Sequence, residues 1–118
     1  MSLAAAVGFL SVAFGAFAAH GVPDPYAKGL LEIGSRYAFM HALATVACAV
    51  FMQLGAARAR HAPALFLPGV MIFSGSLVAM AFGAPRWLGA ITPLGGLLFL
   101  GGWAVLAWSA AAIDRPRA

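Results

Sequence analysis

The side chains of this sequence best suited to hold a metal or move a proton are His20, His41 and Cys48, and each lies in or at the end of an apolar run. His41, Thr45, Cys48 and Met52 share one stripe at helical spacing, a donor set that invites copper or haem. Distance argues against a single centre. At a rise of ~1.5 Å per residue, His41 and Cys48 stand ~10 Å apart along the axis, whereas ligands of one metal ion sit ~2.0–2.3 Å from it. The stripe therefore reads as a packed face, with no metal and no cofactor. Cys48 is the only cysteine, so it reads as a packed thiol rather than half of an internal disulfide. The three acids, Asp24, Glu32 and Asp114, form no carboxylate pair, and no nucleophile–base–acid triad is apparent. Lys28, Glu32 and Arg36 recur at i, i+4 and i+8, which reads as a solvated charge ladder rather than a catalytic set. The chain is not expected to be an enzyme.

Hydrophobicity sets the elements that must carry these groups. The sequence is 64% hydrophobic and 8% charged, with a mean hydropathy of +0.96. Soluble domains are roughly 45–50% apolar and about 25% charged, so these few charges would leave most of a water-facing surface uncovered. A pI near 10.3 invites nucleic acid, but the seven basic residues stand in ones and twos between apolar runs, as at membrane flanks. No nucleic-acid partner is expected. Four runs come near the ~20 residues that a bilayer core requires: about Ser2–Ala19, Tyr37–Leu54, Pro63–Phe82, and a fourth ending near Ile113 that begins at Trp87 or at Pro93. The fold class is all-α, an integral membrane bundle of four transmembrane helices forming one domain over 1–118. The first run has no Lys or Arg before it and exceeds the ~7–15 apolar residues of a signal peptide, so it is read as a retained span. Asp24 followed by Pro25 has the form of an N-cap and first helical residue. It starts a short amphipathic helix between the first two spans, which either lies in the interface or runs straight into the second.

Orientation follows from Lys and Arg at the helix ends. Arg58, Arg60, Arg115 and Arg117 fall on the side of the N-terminus, against Lys28, Arg36 and Arg86 on the other. This places both termini in the cytoplasm and His20 at the outer face. Ala4, Gly8, Ser11, Gly15 and Ala18 form a small-residue seam on the first helix, of the kind that lets helix backbones approach in lipid. Glycines in the third and fourth runs, among them Gly69, Gly75, Gly95 and Gly102, favour a tight bundle over a wide pore. Trp87 and Trp108 suit the two interfaces, and Trp103 packs or faces lipid.

Compared by depth, the polar groups gather toward the outer side. His20 ends the first helix, His41 lies about one turn into the second, Ser74 and Ser76 about two turns from the outer end of the third, and Thr92 opens the fourth. Lipid penalises each of them, so convergence on one hydrated pocket is cheaper than separate burial. The expected ligand site is His20, His41, Ser76 and Thr92, with Arg36 and Arg86 at its mouth. If Thr92 caps a helix starting at Pro93, the free N–H groups there would favour an anion or a polar headgroup. If the helix begins at Trp87, Pro93 kinks it instead.

The segments FGAFAAHG (14–21), YAFMHALATV (37–46), FSGSL (73–77) and ITPLGGLLFLGGW (91–103) resemble the small bacterial inner-membrane proteins of domain-of-unknown-function family 423, transmembrane protein 256-like. That resemblance covers nearly the whole chain and implies four membrane helices in a bacterial inner membrane. It implies no activity, ligand or catalytic residue. Three functions remain in view. The leading one is a non-enzymatic membrane module whose partner is membrane lipid, a second copy of the chain or another membrane protein. The second is an oligomeric transporter or channel for protons or small solutes. The third is a haem or redox protein using histidines from two helices.

Overall fold

The computed structural model describes residues 1–114, so Arg115 and Arg117 of the charge count lie outside the described residues. Four long helices alternate in direction: α1 (Ser2–Gly21), α2 (Pro25–Gln53), α3 (Pro63–Ala81) and α4 (Thr92–Asp114), with 3-10 turns at Ala57–His61 and Arg86–Ala90. All four are long and apolar enough to cross a membrane. At ~1.5 Å per residue, α1 and α3 match a bilayer core of ~30 Å.

α2 is the exception, at 29 residues. The Asp24 carboxylate accepts a hydrogen bond from the Ala27 amide at 3.1 Å, and Pro25 occupies the first turn, so the helix starts where the cap signature stands. The amphipathic segment then runs straight on through Gly34 and continues as the span. This moves His41. Counted from Tyr37 it was one turn in, but counted from Pro25 it lies at mid-helix. α2 and α3 end in the same way. Gly55 and Gly83 adopt φ of 97° and 105°, and the amides of Ala56 and Ala84 reach back to the carbonyls of Phe51 and Ala79. Only glycine enters that left-handed conformation without steric cost.

α4 takes the later of the two starts considered, with the residues around Trp87 forming a separate 3-10 turn. Thr92 is already within the helix, and its hydroxyl contacts Ser76 and the Leu88 carbonyl instead of capping the following N–H groups.

The helices pack as α1 on α2, α2 on α3 and α3 on α4, with lesser contact between α2 and α4. The cross-section is accordingly flattened, 27 by 19 Å. The core, which includes Ala44, Cys48, Ala62, Phe66, Phe99 and Leu106, is shared by α2, α3, α4 and the α2–α3 connection. Its tightest contact joins α3 to α4. A Cβ on Gly95 would stand 2.8 Å from the Gly69 carbonyl oxygen and against the Phe73 backbone, while Gly69 and Gly102 lie under the rings of Phe99 and Phe66. On α1, Ala4, Ser11 and Ala18 are buried and Gly15 faces Ser35. Gly8 does not continue that seam, since a Cβ there meets no atom within 4 Å.

Candidate functional site

The polar side chains of the bundle occupy separate places. His41 is buried between α2 and α4. Its Nδ1 lies 2.6 Å from the Tyr37 carbonyl oxygen and its Nε2 lies 3.1 Å from the Trp103 indole nitrogen. An indole N–H only donates, so Nε2 is the acceptor and Nδ1–H donates to Tyr37. Both nitrogens of a neutral ring are thereby engaged. The ring also stacks on Phe99, centroid to centroid at 3.6 Å, with Phe66 tilted against it at 5.5 Å. Trp103 thus packs and donates a hydrogen bond, while remaining partly exposed.

Ser76 and Thr92 do meet, hydroxyl to hydroxyl, across α3 and α4. Ser76 donates to the Phe73 carbonyl at 2.9 Å, which leaves its oxygen free to accept from Thr92. Ser74 donates at 2.7 Å to the Gly34 carbonyl and so joins α3 to α2. Thr45 and Cys48 donate to carbonyls one turn back on their own helix.

Of the six expected site residues, the structure brings only Ser76 and Thr92 into contact. The partners of His41 are Tyr37 and Trp103, and none is shared with that pair. His20 is exposed at the end of α1. Arg86 lies over the Tyr26 ring, 4.1 Å from its centroid, and ties the α3–α4 connection to the start of α2. Arg58 makes the equivalent contact with Trp108 at 4.1 Å, at the opposite end of the bundle. Arg36 is exposed and lines a cavity, described next.

Two cavities flank the α1–α2 contact. One, of about 230 Å³, is a largely apolar cleft bounded by Leu10 and Phe14 of α1, Ala38 of α2, and Val70, Met71 and Gly75 of α3. The other, of about 370 Å³, is lined by Val12 and Gly15 of α1 and by Glu32, Arg36 and Phe39 of α2. Ser11 and Ser35 border both. Ser11 donates to the Val7 carbonyl at 2.7 Å. Ser35 is buried with 8% exposure, and its hydroxyl has no hydrogen-bond partner among the described residues. Sequence reasoning passed over Ser35. The signal was its place in the stripe Leu31, Ser35, Ala38, Ala42, where all its companions are buried apolar residues. Among the described residues, no three His, Cys, Asp or Glu side chains are grouped to hold a metal ion.

Four apolar helices, close glycine contacts between them and hydroxyls bonded to backbone carbonyls define a small helical membrane protein. The chain belongs to the family described as protein of unknown function (DUF423), which matches residues 14–96. A UPF0382 membrane protein of Haemophilus influenzae is 40% identical over 92% of this chain and 90% of its own length. The UPF0382 inner membrane protein YgdD of Escherichia coli K12 is 36% identical over 95% and 88%, and a fission-yeast (Schizosaccharomyces pombe) UPF0382 membrane protein is 33% identical over 89% and 95%. No solved structure matches.

Proposed function

We propose that this protein is a non-enzymatic membrane module that holds lipid, with an acyl chain lying in the cleft between α1 and α3. The observation that carries the reading is the cleft itself, about 230 Å³ and lined mostly by apolar residues. Three serines stand at its wall: the hydroxyls of Ser11 and Ser74 are spent on backbone carbonyls, and that of Ser35 is buried away from the cleft, so they add little polarity. In a bilayer, the apolar molecule always present to fill such a space is a lipid tail. The E. coli relative is named an inner membrane protein, and we place this chain in the inner membrane as well, with both termini cytoplasmic.

Gly75 provides the test. It lines the cleft, and a Cβ there meets no atom within 4 Å, so Gly75→Leu fills the space without a clash. The protein and this variant are extracted in mild detergent and weighed intact by native mass spectrometry. The reading expects the parent to retain lipid that the variant has lost, with equal helix content by circular dichroism. Equal lipid retention in the two would overturn it, as would a co-purified protein or second copy occupying the cleft, or solute flux in proteoliposomes.

A further inference from the structure

We propose that a second copy of this chain packs against the outward face of α2, with Glu32 and Arg36 of each copy paired to Arg36 and Glu32 of the other. Depth is the first observation. A Cβ on Gly15 would lie 3.7 Å from that of Ser35, and Gly15 is ~9 Å from the end of α1 at the α1–α2 turn. A Cβ on Gly34 would lie 3.5 Å from the Ser74 carbonyl oxygen, and Ser74 is ~10 Å from the end of α3 on the same side. Both helices match the bilayer core. Arg36, next along α2, therefore stands ~10 Å inside that core, and Glu32, one turn of ~5.4 Å nearer the α1–α2 turn, ~5 Å inside it. Of the charge ladder on α2, only Lys28 comes level with the end of α1 and meets water.

The second observation is charge. Ionised side chains at such depth are costly, and they turn to a bundle interior, to a watery cavity or to an opposite charge. Here they turn away from the core. α2 buries Leu31, Ala38 and Ala42, whereas Arg36 is exposed and Glu32 half-buried. Among the described residues neither has an ion-pair partner within 4.0 Å. One acid and one base a turn apart are self-complementary. Across a two-fold axis between parallel copies, each Arg36 meets the Glu32 of the other copy, and no charge is left over. Helical side chains lean toward the N-terminus of their helix, so the long Arg36 side chain reaches toward the layer of Glu32.

The third is the pattern that continues below the charges. Glu32, Arg36, Phe39, Leu43, Val46 and Val50 follow one another at alternating intervals of four and three. That is the spacing of a seam that packs on a like seam at a shallow left-handed crossing. The four apolar members are 43–56% exposed, so the chain's own helices leave the seam uncovered. Between parallel copies each seam residue lies opposite its own counterpart. The acyl cleft is lined by other residues of α2, Gly34, Ser35 and Ala38, so the interface leaves it open and does not rest on that reading.

Two measurements on the full chain test this. In the first, Cys48→Ser removes the native thiol, and single cysteines are introduced as Leu43→Cys, Val46→Cys or Met40→Cys. Membranes are then oxidised with copper phenanthroline. Val46 and Met40 are equally exposed, at 43% each, but only Val46 is on the seam. A disulfide needs Cβ atoms ~3.5–4.5 Å apart, so Leu43→Cys and Val46→Cys should give cross-linked dimer and Met40→Cys little. In the second, Glu32→Gln and Arg36→Gln chains, one of them mass-tagged, are purified separately and together, and are weighed by native mass spectrometry. Each alone should dimerise about tenfold more weakly than the parent, having lost its charge-assisted bonds. Mixed, they should form heterodimers well beyond the statistical proportion, because the mixed dimer alone keeps one Arg36–Glu32 pair. A pair formed within one chain gives no such excess. Neither residue is buried, so the variants keep the fold, which circular dichroism checks. Cross-linking at Met40→Cys as strong as on the seam, heterodimers in statistical proportion only, or a parent that is monomeric or bound through this face to a different protein would each overturn the proposal. Lipid lost on Gly75→Leu from a chain that does not dimerise would leave the acyl cleft standing and remove this interface.

Discussion

His41 meets the face of Phe99 at 3.6 Å and receives the Trp103 N–H at 3.1 Å, and the two contacts differ in weight. Hydrogen bonds between membrane helices average about 0.6 kcal/mol and reach about 1.7, because an unpaired group finds other partners in the unfolded state. Removing a buried ring leaves a cavity and typically costs about 3–5 kcal/mol. Trp103→Phe, which keeps the ring and deletes the N–H, should therefore lower stability by about 1 kcal/mol or less. His41→Ala should cost about 3 kcal/mol, and exposed His20→Ala within about 0.5. Reversible unfolding in mixed micelles orders the three. Equal losses for Trp103→Phe and His41→Ala would mean that the hydrogen bond, not the packing, joins α2 to α4. His41 was legible in the sequence as a group that needs a partner. Its partner was not, because counting along an axis gives depth without rotation, and Trp103 carries its N–H on a side chain that reads equally as packed or lipid-facing.

Helix contacts separate into those where glycine is required and those where it is only permitted. A side chain at Gly95 would enter the Phe73 backbone and the Gly69 carbonyl, neither of which has a rotamer with which to yield. Gly95→Ala should force α3 and α4 apart and lower stability by about 1–3 kcal/mol. Gly8→Leu should leave stability within about 0.5 kcal/mol, since its side chain enters open space. Thermal unfolding of both variants in one detergent decides the matter, and a larger loss at Gly8 would restore it to the α1 seam. The spans themselves were legible because run length and the Asp24–Pro25 cap are local signals. The weight of each glycine was not, because small residues at helical spacing mark a face that can be approached without saying which helix approaches it. Gly95 and Gly8 differ only in what lies opposite.

At the scale of the molecule, the flattened section leaves each end of the bundle to be held by its connections, and an arginine on an aromatic ring does so at both: Arg58 on Trp108 and Arg86 on Tyr26. The two clamps are alike, so they give the protein no direction in the membrane. Direction has to come from the number of cations at each end. Arg58, Arg60, Arg115 and Arg117 stand against Lys28, Arg36 and Arg86, a margin of one, and only Lys and Arg count in setting orientation. Replacing both Arg58 and Arg60 with Gln reverses that margin to two against three. The parent, carrying a reporter after Ala118 that is active only in the cytoplasm, should give a full signal. The double variant should give a mixed or inverted one. Arg58→Gln also removes the Trp108 clamp, so Trp108→Leu serves as the control. It breaks the same contact without changing the count, and should leave the reporter signal at the parent's level. An unchanged signal in the double variant would show that orientation is set elsewhere in the chain, and a parent active only with a periplasmic reporter would invert the topology altogether.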